Sequence, residues 1–224
     1  MKNILVILGV VAIVAVIGAA SYERFLKPVS VAPATDPATG QTATANIALR
    51  PDDMVLGSPD AKVTIVEYAS LTCPHCATFH NKTLPMIKER YIDKGLAKLV
   101  YRDFPLDGLA LRAAFLPHCA GPARYFGLLD TLFARQSQWA AAGPDALAAL
   151  GKIASQAGMT EDAFQACLAD KAVEKKVLDS AIEAEKTFAV KSTPTLFVNG
   201  VKYPGGLTPE QARAVLDPLT GAGK

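Results

Sequence analysis

A pair of cysteines two residues apart, directly after an apolar β-branched run, constrains the fold of this chain more than any other feature. Residues 63–69 have the composition of a buried strand, and Cys73 and Cys76 follow after a short turn. Residues 77–90 then have a helix-like pattern. A strand that delivers a Cys-x-x-Cys pair to the first turn of a helix is typical of a redox site.

The position of Cys73 at the predicted helix start favours the thiolate form of its side chain. Backbone N–H groups in the first turn have no intrahelical acceptor, and the positive end of the helix dipole lies there. Pro74 suits the first helical position because its missing N–H would be unpaired anyway. His75 adds a donor or a cation beside the sulfur. We therefore predict a lowered pKa for Cys73, a more buried Cys76, and an oxidising disulfide between them.

Other uses of a Cys-x-x-Cys pair fit this sequence less well. A structural zinc site of this kind needs a second pair, whereas the remaining cysteines, Cys119 and Cys167, stand alone. Haem attachment requires a histidine directly after the second cysteine, and Ala77 occupies that position. A purely structural disulfide between positions so close is strained. We interpret the pair as redox-active, without metal.

The first 20 residues are interpreted as an export signal. Residues 4–20 form an uncharged apolar run behind Lys2, with a length between those of a signal-peptide core and a membrane span. The run ends in small residues, so a cleaved signal peptide and an uncleaved anchor both remain open. Residues 21–52, mostly rich in Ala, Thr and Pro, are predicted to form a disordered linker. The folded domain is predicted to cover residues 53–220.

Net charge and hydrophobic periodicity indicate the partners and the secondary structure of the rest of the chain. The net charge is only +2, which gives no indication of nucleic-acid binding. Residues 97–104 alternate like a second strand. From about 106 to 190 no strand pattern occurs, and a series of amphipathic stretches predicts an inserted helical subdomain. An Asn-Gly pair at 199–200 then predicts a hairpin, and Thr208 caps a terminal helix.

Glu67 and His80 are the polar residues nearest to the cysteines in the predicted strand and helix. Glu67 is either a part-buried carboxylate that handles protons of Cys76 or a solvated side chain at a sheet edge. His80 lies four residues after Cys76, and we predict a solvated histidine there.

Two further features have alternative interpretations on pattern alone. Pro194 stands just before a strand. A cis bond after Thr193 would present a backbone edge to an extended substrate peptide, whereas a trans loop proline is far commoner. Cys119 and Cys167 would form a structural disulfide in an exported protein, or else remain two buried free thiols.

The Cys73-Pro74-His75-Cys76 tetrapeptide after a strand, the helical insertion, and Thr193-Pro194 before a hairpin resemble the DsbA-like family of bacterial thiol:disulfide oxidoreductases. The resemblance covers roughly residues 53–219. It implies an α/β, thioredoxin-like fold with an inserted α-helical subdomain. It also implies that Cys73 is the attacked sulfur, Cys76 the resolving one, and Thr193–Pro194 the cis loop.

Three further residues match the pattern of the family, and two residues depart from it. Glu67 matches the position of the family's buried acid, and Cys119 and Cys167 are similar to an extra cysteine pair in the helical domain of some members. His80 stands where well-known members carry a second acid. Thr193 stands where the best-known oxidases have valine and isomerases commonly have threonine, which leaves the direction of exchange open.

The function that this resemblance implies is a periplasmic oxidase that introduces disulfides into exported proteins through Cys73 and Cys76. Its substrates would be unfolded or reduced exported proteins, and a quinone-linked membrane protein of the DsbB type would reoxidise it. We expect a monomer without cofactors that does not bind nucleic acid. The alternatives are an isomerase or reductase of the same fold, or a thiol-based metal-handling module with His80 as its additional ligand.

Overall fold

The computed structural model describes residues 44–222. The predicted export signal and most of the predicted linker lie outside these residues. Within residues 44–222, no helix has both the length and the apolar character needed to cross a membrane.

Five strands form one mixed sheet in the order β1-β3-β2-β4-β5. The strands are β1 Met54–Leu56, β2 Val63–Ala69, β3 Ala97–Asp103, β4 Thr195–Val198 and β5 Val201–Pro204. β2 and β3 run parallel, with Val63 opposite Ala97, while each other neighbouring pair is antiparallel. The central strand β2 has the bounds that the sequence predicts, and it ends at the turn that carries the cysteines.

Helices cover both the connections of the sheet and the block between β3 and β4. They are α1 Pro74–Thr78, α2 Leu84–Ile87, α3 Gly108–Ala120, α4 Tyr125–Ala134, α5 Gln136–Trp139, α6 Ala146–Gln156, α7 Glu161–Leu168, α8 Lys171–Phe188 and α9 Pro209–Thr220, with a 3₁₀ turn at Gly143–Asp145. The segment predicted as helix-like over 77–90 is helical, but it is not one regular α-helix. Two π-helical turns, Phe79–Thr83 and Lys88–Ile92, interrupt it, as single π turns commonly do at functional sites.

The helical block packs against the end of the sheet that carries the cysteines. Its buried Leu132, Phe133 and Trp139 belong to one apolar cluster with Cys76 and Tyr101. The opposite face of the sheet has its own core, formed by residues of β2 to β4 together with α8. The turn that carries the cysteines is therefore enclosed by the insertion on one side.

The disulfide between Cys119 and Cys167 is confirmed. It joins α3 to α7 with an S–S distance of 2.10 Å and a Cα–Cα distance of 5.9 Å. The Asn-Gly hairpin between β4 and β5 is confirmed as well, with Asn199 and Gly200 both at positive φ, which type I′ turns require.

Residues 44–52, which we assign to the linker from composition, instead contact the domain. Thr44 forms an antiparallel bridge to Val201, and the carbonyl of Ala48 accepts a hydrogen bond from Arg102. Arg102 also makes a bidentate contact with Asp53. Residues 44–52 therefore contact the folded domain, although their composition is typical of a linker. The buried guanidinium of Arg102 binds this segment at Ala48 and also binds Asp53, the residue that follows the segment.

Candidate active site

Cys73 occupies the N-cap position of α1, as the sequence predicts. Its carbonyl accepts the N–H of Ala77 at 3.1 Å, and Pro74 is in the first turn. Both cysteines are free thiols. Cys76 is fully buried, Cys73 is 5% exposed, and Pro74 and His75 face the solvent. Cys73 is therefore the sulfur that lies nearer to the surface.

The two sulfurs have opposite proton affinities. The pKa of Cys73 is lowered to about 4, mainly by a hydrogen bond from the Cys76 thiol; burial opposes this, and Thr193 and the backbone N–H groups of Cys76 and His75 add to it. The pKa of Cys76 is raised far above its ordinary value by burial, by the hydrogen bond to Cys73 and by the charge of Glu67. At neutral pH, one sulfur carries the charge and the other keeps its proton.

The loop before β4 lies against Cys73. The Thr193–Pro194 peptide bond is cis, which confirms the implied cis loop. The Sγ of Cys73 is 3.3 Å from the carbonyl oxygen of Thr193. The hydroxyl of Thr193 is buried, has no other hydrogen-bonding partner among the described residues, and contributes to the lowered pKa of Cys73. A backbone edge thus lies directly beside the reactive sulfur.

Glu67 is fully buried in β2, so its interpretation as a solvated edge residue is wrong. Its Oε2 lies 3.0 Å from Nε2 of His80. The prediction of a solvated His80 is also wrong: its side chain is only 1% exposed. The ring stacks on Phe133 at a centroid distance of 4.0 Å, with Tyr101 against it edge-on.

The pKa of His80 is raised to about 9. Burial acts to lower this pKa, but the charge of Glu67 and the interaction with Asp130 outweigh it. Phe133 and Asp130 belong to α4, more than 40 positions along the chain from His80, so local pattern could not place them. The spacing of four residues from Cys76 puts His80 on the same helix face, and this was the available signal for a buried Glu67–His80 pair.

Gln136 is a second residue that the sequence analysis missed. From the start of α5, its Nε2 donates to the carbonyls of Leu71 and Cys73 at 2.7 and 2.9 Å. The insertion thereby fixes the backbone immediately before the reactive sulfur. Nothing in the sequence around Gln136 indicates this contact.

Replacing Gln136 with Met should lower the free energy of unfolding by about 1–3 kcal/mol, because a part-buried carbonyl loses its donor. Urea unfolding of the reduced protein measures this. Gln138→Met is the matched control, since Gln138 is exposed on the same helix and should change stability by less than about 0.5 kcal/mol. Equal effects of the two substitutions would show that the contact does not hold the turn.

A cavity of about 170 Å³ lies beside the cysteine turn. Its lining includes His75, Phe79, Lys82 and Leu207. Among the described residues, no cluster of three or more His, Cys, Asp or Glu side chains could hold a metal ion.

Comparison with known proteins places these features in a family. Residues 49–218 match the family model described as thioredoxin. A Rickettsia bellii protein, provisionally named a protein-disulfide oxidoreductase, is 33% identical over 154 residues, which are 67% of this chain and 58% of that protein. The match thus spans less than two thirds of the length of this curated relative.

Solved structures give a fuller match. The crystal structure of alpha-DsbA1 from Wolbachia pipientis is 34% identical, with a TM-score of 0.73, and the match covers 77% of this chain and 93% of that one. A protein-disulfide isomerase from Novosphingobium aromaticivorans is 25% identical, with a TM-score of 0.66 over 75% of this chain and 97% of that one.

Proposed function

This chain belongs to the DsbA-like family of thioredoxin-fold proteins, and we propose that it is a protein dithiol:disulfide oxidoreductase that acts as an oxidase. The observation that carries the proposal is the opposite proton affinity of Cys73 and Cys76. A stabilised Cys73 thiolate favours the reduced form of the protein, so the Cys73–Cys76 disulfide is driven to accept two electrons from substrate thiols.

The exchange proceeds in two steps at Cys73. A substrate thiolate attacks Sγ of Cys73, the Cys73–Cys76 bond breaks, and Cys76 leaves and takes up a proton. A second substrate thiolate then attacks the substrate sulfur of the mixed disulfide and expels the Cys73 thiolate. The low pKa of Cys73 makes it a good leaving group. Two substrate thiols thus become one disulfide, while the protein gains a thiolate and a thiol and one proton is released.

The substrate is proposed to be an extended segment of a reduced or unfolded exported protein. The backbone of Thr193 beside Sγ of Cys73 supports this, since such an edge can pair with a peptide strand. The neighbouring cavity beside His75 offers room for one substrate side chain. We propose a periplasmic location, a monomeric state and reoxidation by a quinone-linked membrane protein of the DsbB type, in line with the family.

The equilibrium with glutathione tests the oxidase proposal. Reduction by two glutathione molecules leaves a Cys73 thiolate and releases one proton, so rising pH favours the reduced protein. We expect the apparent equilibrium constant to rise about tenfold per pH unit from about pH 5 to about pH 8. The stabilisation comes from the lowered pKa of Cys73, so it disappears as pH falls through about 4.

Thiolate absorbance gives the pKa of Cys73 directly, and quantification of the reduced fraction at each pH gives the constant. An ordinary thiol pKa together with a strongly reducing potential would contradict the oxidase proposal.

Isomerase activity is the second candidate, and Thr193 before the cis proline favours it. Reactivation of a protein with scrambled disulfides, compared with oxidation of a reduced dithiol peptide, distinguishes the two. An oxidase is expected to act faster in the second assay, whereas an isomerase acts only in the first.

A further inference from the structure

Cys76 exchanges one proton with its surroundings in every turnover, yet its side chain has no contact with solvent. It leaves the disulfide as a thiolate and is stable only as a thiol, since burial and the charge of Glu67 raise its pKa. Cys76 is 0% exposed. A proton must therefore cross the protein interior when the disulfide is reduced and cross it again when the disulfide forms.

One line of polar groups runs from this buried region to the surface. Glu67 has one oxygen, Oε1, buried without a partner among the described residues, and its Oε2 lies 3.0 Å from Nε2 of His80. On the far side of the ring, Nδ1 of His80 is 3.6 Å from Oδ1 of Asp130. The side chain of Asp130 is 59% exposed, so it reaches water and can turn to close the last gap.

We propose that His80 and Asp130 connect Glu67 with the solvent and carry the proton that Cys76 takes up and releases. This inference rests on the proposed thiol:disulfide exchange, and it assigns to two residues of this chain a task that the exchange itself leaves open. His80 acts through Glu67, and Asp130 acts through His80.

The surroundings of His80 leave little choice of route. Phe133 covers one face of the ring, and Phe79 and Tyr101 lie edge-on to it. The titratable groups that face His80 are Glu67 from β2, Tyr101 from β3 and Asp130 from α4. Tyr101 keeps its proton, because burial raises its pKa well above the ordinary value. Among the described residues, the carboxylates of Glu67 and Asp130 are the groups that lie beside the two imidazole nitrogens, at 3.0 and 3.6 Å.

The proton steps balance in both directions. When a substrate sulfur bonds to Cys73, Cys76 departs as a thiolate, Glu67 passes it a proton from the His80 imidazolium, and water restores that proton through Asp130. When the dithiol is reoxidised by a partner disulfide, the two electrons pass to that disulfide. The proton of Cys76 then leaves by the same groups in reverse order.

Asp130→Asn is the variant of choice, since Asp130 is exposed, whereas loss of His80 would leave a buried carboxylate unpaired. We expect the oxidation of a reduced dithiol peptide, and its reverse, to slow about tenfold near neutral pH. The equilibrium with glutathione should change much less than the rates. The pKa of His80, followed by NMR of the imidazole, should fall below about 9, and added imidazole buffer should restore part of the rate.

Asp162→Asn is the control, because Asp162 is also exposed, at the start of α7, and lies outside the route. A rate–pH profile of Asp130→Asn that coincides with that of the wild type would overturn the inference. A loss of rate in one direction only, matched by the equilibrium constant, would overturn it as well. Failure of the wild type to oxidise the peptide would instead remove the proposed function.

Discussion

Cys73→Ser is expected to leave no reactive thiol at the surface. Cys76→Ser, in contrast, should leave the Cys73 thiol, which reacts quickly and then remains in a mixed disulfide. The difference follows from the two pKa values. The pKa of Cys73 is lowered to about 4, so its side chain is a thiolate throughout the neutral range. Cys76 is raised in pKa and fully buried, so without Cys73 it is neither charged nor accessible.

The rate of alkylation at about pH 7 measures this contrast. We expect Cys73→Ser to react on the order of a thousandfold more slowly than Cys76→Ser, because the thiolate is the reactive species. With oxidised glutathione, Cys76→Ser should accumulate a mixed disulfide at Cys73, since no second cysteine remains to resolve it. Neither variant should oxidise a dithiol peptide, because the protein disulfide cannot form.

Cys76→Ala extends this experiment. The largest cause of the low pKa of Cys73 is the hydrogen bond from Cys76. A serine hydroxyl can replace that donor, whereas alanine cannot, so the pKa of Cys73 should be higher in Cys76→Ala than in Cys76→Ser. Similar alkylation rates for Cys73→Ser and Cys76→Ser would contradict the assignment of Cys73 as the attacked sulfur.

The features that sequence predicts well are those that depend on neighbouring residues. The β-branched run over 63–69 predicts β2 with its observed bounds, because a short apolar run of this kind is typical of a buried strand whatever the distant residues are. The Asn-Gly pair at 199–200 gives the hairpin for the same reason, since two residues determine the turn. Cys73 at a helix start follows from the strand–turn–helix order.

The features that sequence misses depend on residues far apart in the chain. His80 is buried because Phe133 of α4 stacks on it, and its ordinary helix pattern contains no sign of that contact. Gln136 looks like a surface residue but binds the carbonyls before and at Cys73. Residues 44–52 have a linker-like composition, yet Arg102 holds them. In each case a tertiary contact overrides the local preference.

The strand β1 was missed for another reason. Met54–Leu56 has only three residues, too few for alternation to be recognised. It is a strand because it pairs with β3, with Met54 opposite Tyr101. Pairing with the edge of the sheet formed by β3 thus determines the conformation of this segment.

Removing both Cys119 and Cys167 by substitution with alanine is expected to lower the free energy of unfolding by about 2–4 kcal/mol. The disulfide joins α3 to α7 across a sequence separation of 48 residues. A cross-link over a segment of this length restricts the unfolded chain strongly, and the chain-entropy relation gives about 4 kcal/mol. The lower end of the range allows for structure that remains in the unfolded state.

Urea unfolding of the double variant and the wild type, each with the Cys73–Cys76 pair oxidised, measures the difference. The double variant Cys119→Ser/Cys167→Ser is a useful companion, because Cys167 is buried and the two replacements fill its site differently. A shared loss of stability reflects the missing cross-link, whereas a loss confined to one variant reflects the fit of the new side chain. The pKa of Cys73 should stay near 4 in both, since its causes all lie in the cysteine turn and the cis loop. Unchanged stability in both variants would show that this disulfide does not support the helical block.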